Sequence, residues 1–252
     1  MTLSDRQLER YARHIVLPEL GGEGQRRLLA ARVAVVGAGG IGCPALQYLA
    51  AAGVGAITLV DPDRVDLSNL QRQTLFSEAD IGRPKAEAAR ARLSALNPDC
   101  CVSPRIERLE EANAGRILAG HDLVLDGTDS FAARTAVNRA CVRLGLPLVS
   151  AALGPLEGHV GVFSGHRPDA PCWACFAGAA RDRPGRSCAE AGVIGALAGV
   201  LGALAALEAI RLVAGFGPET VGRLFLLDAV GFAARTVRVP KDPACPVCGN
   251  GG

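Results

Sequence analysis

Lysine is the scarcest charged residue in this 252-residue sequence: Lys85 and Lys241 stand alone against 25 arginines. Where arginine fills nearly every cationic position, a retained lysine suggests a site that needs a compact point charge instead of a planar fork. The bland alternative is a solvated surface residue. A large charge excess is also missing: the formal net charge of +2 gives no argument for nucleic acid or an anionic membrane as partner. The opening stretch MTLSDRQLERYARHIVL has no apolar core ahead of its charges, so no secretory leader is read there. Without one, nine cysteines point to a reducing compartment, the cytoplasm, and to thiols or a metal site before disulfides. A membrane span is not convincing either. The uncharged run from Ala191 to Leu207 is seventeen residues long, short of the roughly 20 that a span needs. It contains Gly195-x-x-x-Gly199, a helix-pairing pattern in membranes, but Ala and Gly are as frequent in it as Leu. A small-residue helix packed inside the protein or at a subunit interface is expected. No internal repeat or long linker divides the chain.

What is present alternates. Ser4 and Gln7 form a capping-box pattern that starts a helix from about Asp5 to His14. Pro18 and Gly21-Gly22 then break the chain. VAVVGAGGIG (33–42) is an apolar strand running into a glycine turn and a helix to about Ala52, and ITLVD (57–61) is the second strand. Arg83-Pro84 opens a helix that Asn97-Pro98 stops. Strands near Cys101–Ile106, Leu123–Leu125 and Leu148–Ala151, with a helix over Phe131–Leu144, continue the alternation. The fold class is therefore α/β, a Rossmann-like, open, mostly parallel sheet with helices on both faces. Past Ala151, GHVGVFSG (158–165) and two strands near Arg223–Leu227 and Arg235–Val239 read as antiparallel.

Four motifs carry chemistry. Gly37, Gly39 and Gly42 form GxGxxG between strand and helix, with Asp61 nineteen residues beyond Gly42. Glycines let the backbone approach phosphate oxygens, the helix N-terminus offers free N–H groups, and the aspartate suits ribose hydroxyls. NAD, FAD and ATP all remain open at this point; so does a tight turn with no ligand. DLSNLQRQTLF (66–76) then places Ser68, Asn69, Gln71 and Arg72 beside that aspartate, an unusual amide–arginine cluster. LVLDGTDS (123–130) puts Asp126 and Asp129 past another parallel strand, where a carboxylate can hold the Mg²⁺ of a nucleoside triphosphate; a helix N-cap is the alternative for Asp129. An NAD(P)-dependent oxidoreductase would use the glycines and Asp61 but leave Arg72, Lys85 and Asp129 idle.

Cys172-x-x-Cys175 and Cys245-x-x-Cys248 match a tetrahedral four-cysteine Zn²⁺ site closed to catalysis. The 69 residues between the pairs would make it a staple joining the C-terminal tail to the body; thiol redox motifs or unrelated thiols are the competing readings. Cys188, in RSCAEAGV beside Arg186 and just before a helix start, is either a thiol of lowered pKa or an inert cysteine.

Taken together, RYARHIVLPELG (10–21), VAVVGAGGIGCPALQYLAAAGVGAITLVD, DLSNLQRQTLF, GRPKAEAAR (82–90), LVLDGTDS, SCAEAGV and the two CxxC pairs resemble the ThiF/MoeB adenylyltransferases, bacterial relatives of the ubiquitin-activating enzymes. The resemblance covers nearly the whole chain in the family's order. It implies ATP with Mg²⁺ as the nucleotide, and adenylation of the C-terminal Gly-Gly carboxylate of a ubiquitin-like sulfur-carrier protein, for molybdopterin synthesis; the same chemistry in thiamine thiazole formation is the alternative. It implies that Gly37, Gly39, Gly40 and Gly42 admit the nucleotide, that Asp61 holds the ribose and Asn69 and Arg72 the phosphates, and that Ser68 and Gln71 line the same nucleotide site. Lys85 would neutralise charge as pyrophosphate leaves, Asp129 would hold the Mg²⁺ with Ser130 beside it in the nucleotide site, and Arg13 would reach the active site of the other subunit of a homodimer. Cys188 matches the position that forms a covalent sulfur link in the thiamine branch and is dispensable in the molybdopterin branch. Ser130 departs from the family's asparagine at that place. No rhodanese-type domain follows the last CxxC, which implies the short form and a separate sulfurtransferase. On this reading the chain is one unit, 1–252, with a helical arm (1–22), a nucleotide-binding half (32–151) and a carrier-binding and zinc half (152–252).

Overall fold

The computed structural model describes residues 2–178 and 192–249. Five strands pair in parallel: β1 (Arg32–Val36), β2 (Ala56–Val60), β3 (Cys101–Arg105), β4 (Leu123–Asp126) and β5 (Leu148–Leu153). Strands β6 (Glu157–Phe163), β7 (Arg223–Asp228) and β8 (Ala233–Arg238) join antiparallel. Together they make one eight-stranded sheet in the order β3-β2-β1-β4-β5-β6-β7-β8, as the alternation and the C-terminal patterning led us to expect.

After the exposed Arg32, strand β1 is apolar because it feeds two layers. Val33 and Val35 join one buried cluster, and Ala34 and Val36 the other. The first layer is roofed by α3 (Gly21–Ala30), α4 (Gly42–Ala51), α5 (Lys85–Leu96) and α9 (Gly195–Ala214), the second by α6 (Glu111–Leu118), α7 (Phe131–Leu144) and α8 (Trp173–Ala177). The chain winds outward from β1 to β2 and β3, then returns to the other side of β1 for β4 and β5. That reversal opens a crevice at the carboxyl ends of β1 and β4, the usual ligand position in an open α/β sheet.

Two sequence expectations need correction. The single N-terminal helix is two, α1 (Asp5–Arg10), which does carry the expected Ser4–Gln7 capping box, and α2 (Ala12–Ile15). They part at Tyr11, whose buried hydroxyl accepts from Asn97 Nδ2 (2.9 Å) and donates to Asp99 (3.1 Å). Gly21-Gly22 does not break the chain but opens α3. Burial of Gln25 and Leu28 on that helix outweighs the poor helix propensity of glycine, about 1 kcal/mol per residue. Helix α9 is the expected small-residue helix, and its close contacts fall at Gly195 and Gly202. A Cβ at Gly199 would meet open space, whereas one at Gly202 would lie 2.3 Å from the Ile41 carbonyl and one at Gly195 would lie 2.2 Å from the Gln71 carbonyl. Both contacts bring α9 onto the crevice. Helices α6 and α8 went unread in the sequence.

Candidate functional site

The crevice is built by backbone first. Gly37 leaves β1 with φ +95°, and a Cβ there would sit 3.1 Å from the Gly127 carbonyl on the β4–α7 turn. A Cβ at Gly42 would lie 1.9 Å from the Gly37 carbonyl, so both glycines are required by the turn itself. Open space lies beside Gly39, while a Cβ at Gly40 would meet Ala198 of α9 and lie 3.5 Å from Arg72 Cγ. Asp61, at the end of β2 and only 4% exposed, ties the turn down. Its carboxylate accepts from Ala38 N at 2.6 Å and from Asp63 N at 2.8 Å. Burial pushes its pKa up, opposed by Lys85 and by those two backbone N–H groups.

The amide–arginine segment is folded by its own polar side chains. Asp66 caps a short 3₁₀ turn by accepting from Ser68 N (2.8 Å) and Ser68 Oγ (2.5 Å). Asn69 Oδ1 accepts from Arg72 Nη2 (2.8 Å) and Gln73 Nε2 (3.3 Å), and Arg72 Nη1 donates to Ser68 O (3.0 Å). Gln71 turns away, toward Val193 O at 3.5 Å. Gln73 was not singled out in the sequence; it is buried, and its Oε1 has no hydrogen-bond partner among the described residues.

Lys85 is no surface residue. It is 5% exposed, begins α5 directly after Pro84, and its Nζ pairs with Asp63 at 3.0 Å. Its charge acts on Asp61. The segment before it is clamped by Asp80, whose buried carboxylate pairs with Arg83 and Arg92 at 2.8 Å each. Against the effect of burial, Arg92 and Ser77 hold its pKa down at about 2.

On the β4–α7 turn the two carboxylates separate. Asp126 is buried and committed to Thr128 N (3.0 Å), Thr128 Oγ1 (2.7 Å) and Ser150 Oγ (3.3 Å). Asp129 is exposed. It is not the helix cap: Ser130 Oγ caps α7 by accepting from Ala133 N at 3.2 Å. Buried Arg134 pins this turn to β5, donating to Thr128 O, to Ala151 O (2.9 Å) and to Ser150 Oγ (3.2 Å).

One expected residue is not brought to the crevice within the chain. Arg13 is exposed on α2. That segment is held at the opposite end of the sheet: Arg10 Nη1 reaches Leu96 O (3.2 Å), and His14 bonds Gln25 (2.9 Å), which donates to Ala52 O (2.9 Å). Cys188 lies outside the described residues.

The four cysteines meet away from the crevice. The sulfurs of Cys172, Cys175, Cys245 and Cys248 all lie within 4.8 Å of one another, with Cys172–Cys245 at 3.6 Å and Cys175–Cys248 at 3.5 Å. Disulfides need about 2.05 Å. A tetrahedron of thiolates at 2.3 Å from Zn²⁺ has edges of about 3.8 Å, so the cluster fits the metal. The cysteines are mostly buried, as befits a closed structural site.

A Rossmann-like α/β sheet with a glycine turn, flanking cations and a four-thiol cluster defines the class. Residues 11–247 match the ThiF family. The sulfur carrier protein adenylyltransferase of Thermus thermophilus is 46% identical over 257 residues, covering 99% of this chain and 94% of its own. The molybdopterin-synthase adenylyltransferase of Escherichia coli is 43% identical over 248 residues, covering 98% and 99%. Among solved structures, E. coli MccB crystallised with ATP superposes with a TM-score of 0.78 at 25% identity, covering 90% of this chain and 69% of that one. The chain belongs to the ThiF family and is an enzyme of the nucleotidyltransferase class.

Proposed function

We propose that this chain uses ATP and Mg²⁺ to adenylate the C-terminal carboxylate of a ubiquitin-like sulfur-carrier protein ending in Gly-Gly, and that it serves molybdopterin synthesis. One observation carries the reading. Arg72 lies against Gly40 and Lys85 acts on Asp61, so two cations flank the glycine turn, and the adjoining β4–α7 turn carries the exposed carboxylate Asp129. A hydride-transfer site has no use for that set; a triphosphate has. The names of the Thermus and E. coli relatives support the same reaction, and MccB with ATP supports the nucleotide.

The chemistry asks little covalent work of the protein. The attacking carboxylate arrives with the carrier and is ionised at neutral pH, so no general base is needed. Its oxygen bonds to the α-phosphorus as the bond to the β-phosphate oxygen breaks, and pyrophosphate leaves. Gly37, Gly39, Gly40 and Gly42 admit the phosphates to the start of α4, and Asp61 holds the ribose. Asn69 and Arg72 position the phosphate chain. Lys85 and Arg72 stabilise negative charge as it grows on the departing group, exchanging their present partners Asp63 and Asn69 for phosphate oxygens.

Asp129, rather than the fully engaged Asp126, would hold Mg²⁺, with Ser130 beside it; the ion supplies charge neutralisation on the phosphates. Arg13 would act in the site of the partner subunit of a homodimer, because its own crevice lies at the other end of the sheet. The four cysteines would hold Zn²⁺ structurally, and a separate sulfurtransferase would consume the acyl-adenylate.

ATP–pyrophosphate exchange with Mg²⁺ tests this directly, run without carrier, with a molybdopterin-type carrier and with a thiamine-type carrier. Exchange dependent on the molybdopterin-type carrier is the expected result. Exchange only with the thiamine-type carrier would move the pathway, and no exchange with either would remove adenylation.

A further inference from the structure

The metal centre has a fifth participant. We propose that Asn138 is the positioning residue of the zinc site, fixing the Cys172 thiolate and joining the cysteine knuckle to α7. The inference rests on the reading of the cluster as a zinc site.

Asparagine is a poor choice for a helix interior, since its side chain competes with the backbone for hydrogen bonds. Asn138 nevertheless sits in the middle of α7 and is only 1% exposed. Both ends of its amide are used on the knuckle. Nδ2 donates to Cys172 Sγ at 3.5 Å, and Oδ1 accepts from Trp173 N at 2.9 Å. The second bond fixes which end of the amide faces the sulfur. Among the described residues no other side chain outside the four cysteines donates to one of these sulfurs; Cys175 receives a backbone N–H, from Asp242 at 3.5 Å.

Four thiolates around one Zn²⁺ leave a net charge of about −2 on the cluster. In a buried setting that charge is costly unless donors face it. An amide N–H aimed at sulfur draws off part of the charge and holds the thiolate in its ligating orientation. The same helix face grips the crevice one turn earlier, where Arg134 donates to Thr128 O and Ala151 O. Helix α7 therefore holds the β4–α7 turn with Arg134 and the knuckle with Asn138.

The test compares zinc affinity in the wild type, Asn138→Leu, Asn138→Asp and, as a packing control, Val137→Ala, at a buried neighbour on the same helix. Zinc is withdrawn by a graded chelator and followed by metal analysis and by the emission of Trp173, the only tryptophan. Asn138→Leu should bind zinc about 10- to 100-fold more weakly, the usual cost of losing an outer partner of a metal ligand. Asn138→Asp should be weaker still, because a carboxylate would face a thiolate. Val137→Ala should destabilise the fold while retaining wild-type affinity. Zinc affinity within twofold of wild type in both Asn138 variants, or an equal loss in Val137→Ala, would overturn the assignment. A wild-type protein that binds no zinc would instead remove the metal site beneath it.

Discussion

The crevice and the knuckle both gather residues from distant parts of the chain, but they are held together differently. In the crevice the backbone does the holding. The Gly37 carbonyl leaves no room for a Cβ at Gly42 and the Gly127 carbonyl crowds the one Gly37 would carry, while the buried carboxylates of Asp61 and Asp126 accept from backbone N–H and hydroxyl donors. The side chains proposed for chemistry, Arg72, Lys85 and Asp129, are attached to that frame without being part of it. In the knuckle the reactive atoms are themselves the frame: remove one sulfur and the tail from Asp242 onward loses its anchor. Substitution in the crevice should therefore change the reaction and spare the fold, and substitution in the knuckle should do the reverse.

The largest effect is expected at the knuckle. Cys245→Ser should abolish zinc binding and lower the melting temperature far more than an ordinary point mutation, which costs about 1 kcal/mol. Calorimetry with metal analysis would show it; an unchanged melting point would make the cluster incidental. Next is Leu201→Ala, at a fully buried position on α9, expected to cost about 2–5 kcal/mol in chemical denaturation because α9 closes the layer over the crevice. Arg72→Ala and Lys85→Ala should lower turnover about 10²-fold or more, while ATP affinity and melting temperature change little. Equal losses in affinity and turnover would contradict a role confined to the departing charge.

A smaller effect follows pH. Burial and the nearby Arg134 charge push His159 down to about 4 from its ordinary 6.5. Between those values the unfolded chain takes up a proton that the folded chain refuses, so stability should fall as pH drops through that window. Urea unfolding from pH 7.5 to 4.5 should show the slope, and His159→Gln should flatten it. The low pKa of Asp80, about 2 against an ordinary 3.8, extends the same trend to lower pH.

Those contrasts also explain what was legible in the sequence. Short-range rules located the glycine turn, Asp61, the strand alternation and the CxxC pairs, because each depends on local spacing. Ser130 illustrates the limit. Helix start chemistry was visible at LVLDGTDS, but which of two adjacent residues caps α7 is decided by backbone angles that the tertiary turn imposes. Tertiary partners left weaker traces. Ser77 and Asp80 form a capping box that could have been read, but the two arginines that complete the Asp80 clamp are brought in by folding. Arg134 carries no sequence signal distinguishing it from the other arginines, and Asn138 shows itself only as a helix-interior asparagine. Helix α3 was missed because two glycines outvoted one buried face.

The most direct test is the intact mass of a carrier ending in Gly-Gly after incubation with this protein, ATP and Mg²⁺, compared with a carrier lacking its last glycine. Adenylation at the C-terminus expects the complete carrier to gain one adenylyl group, with pyrophosphate released in equal amount, and the truncated carrier to gain none. An unmodified complete carrier alongside folded, zinc-loaded protein would contradict the central claim.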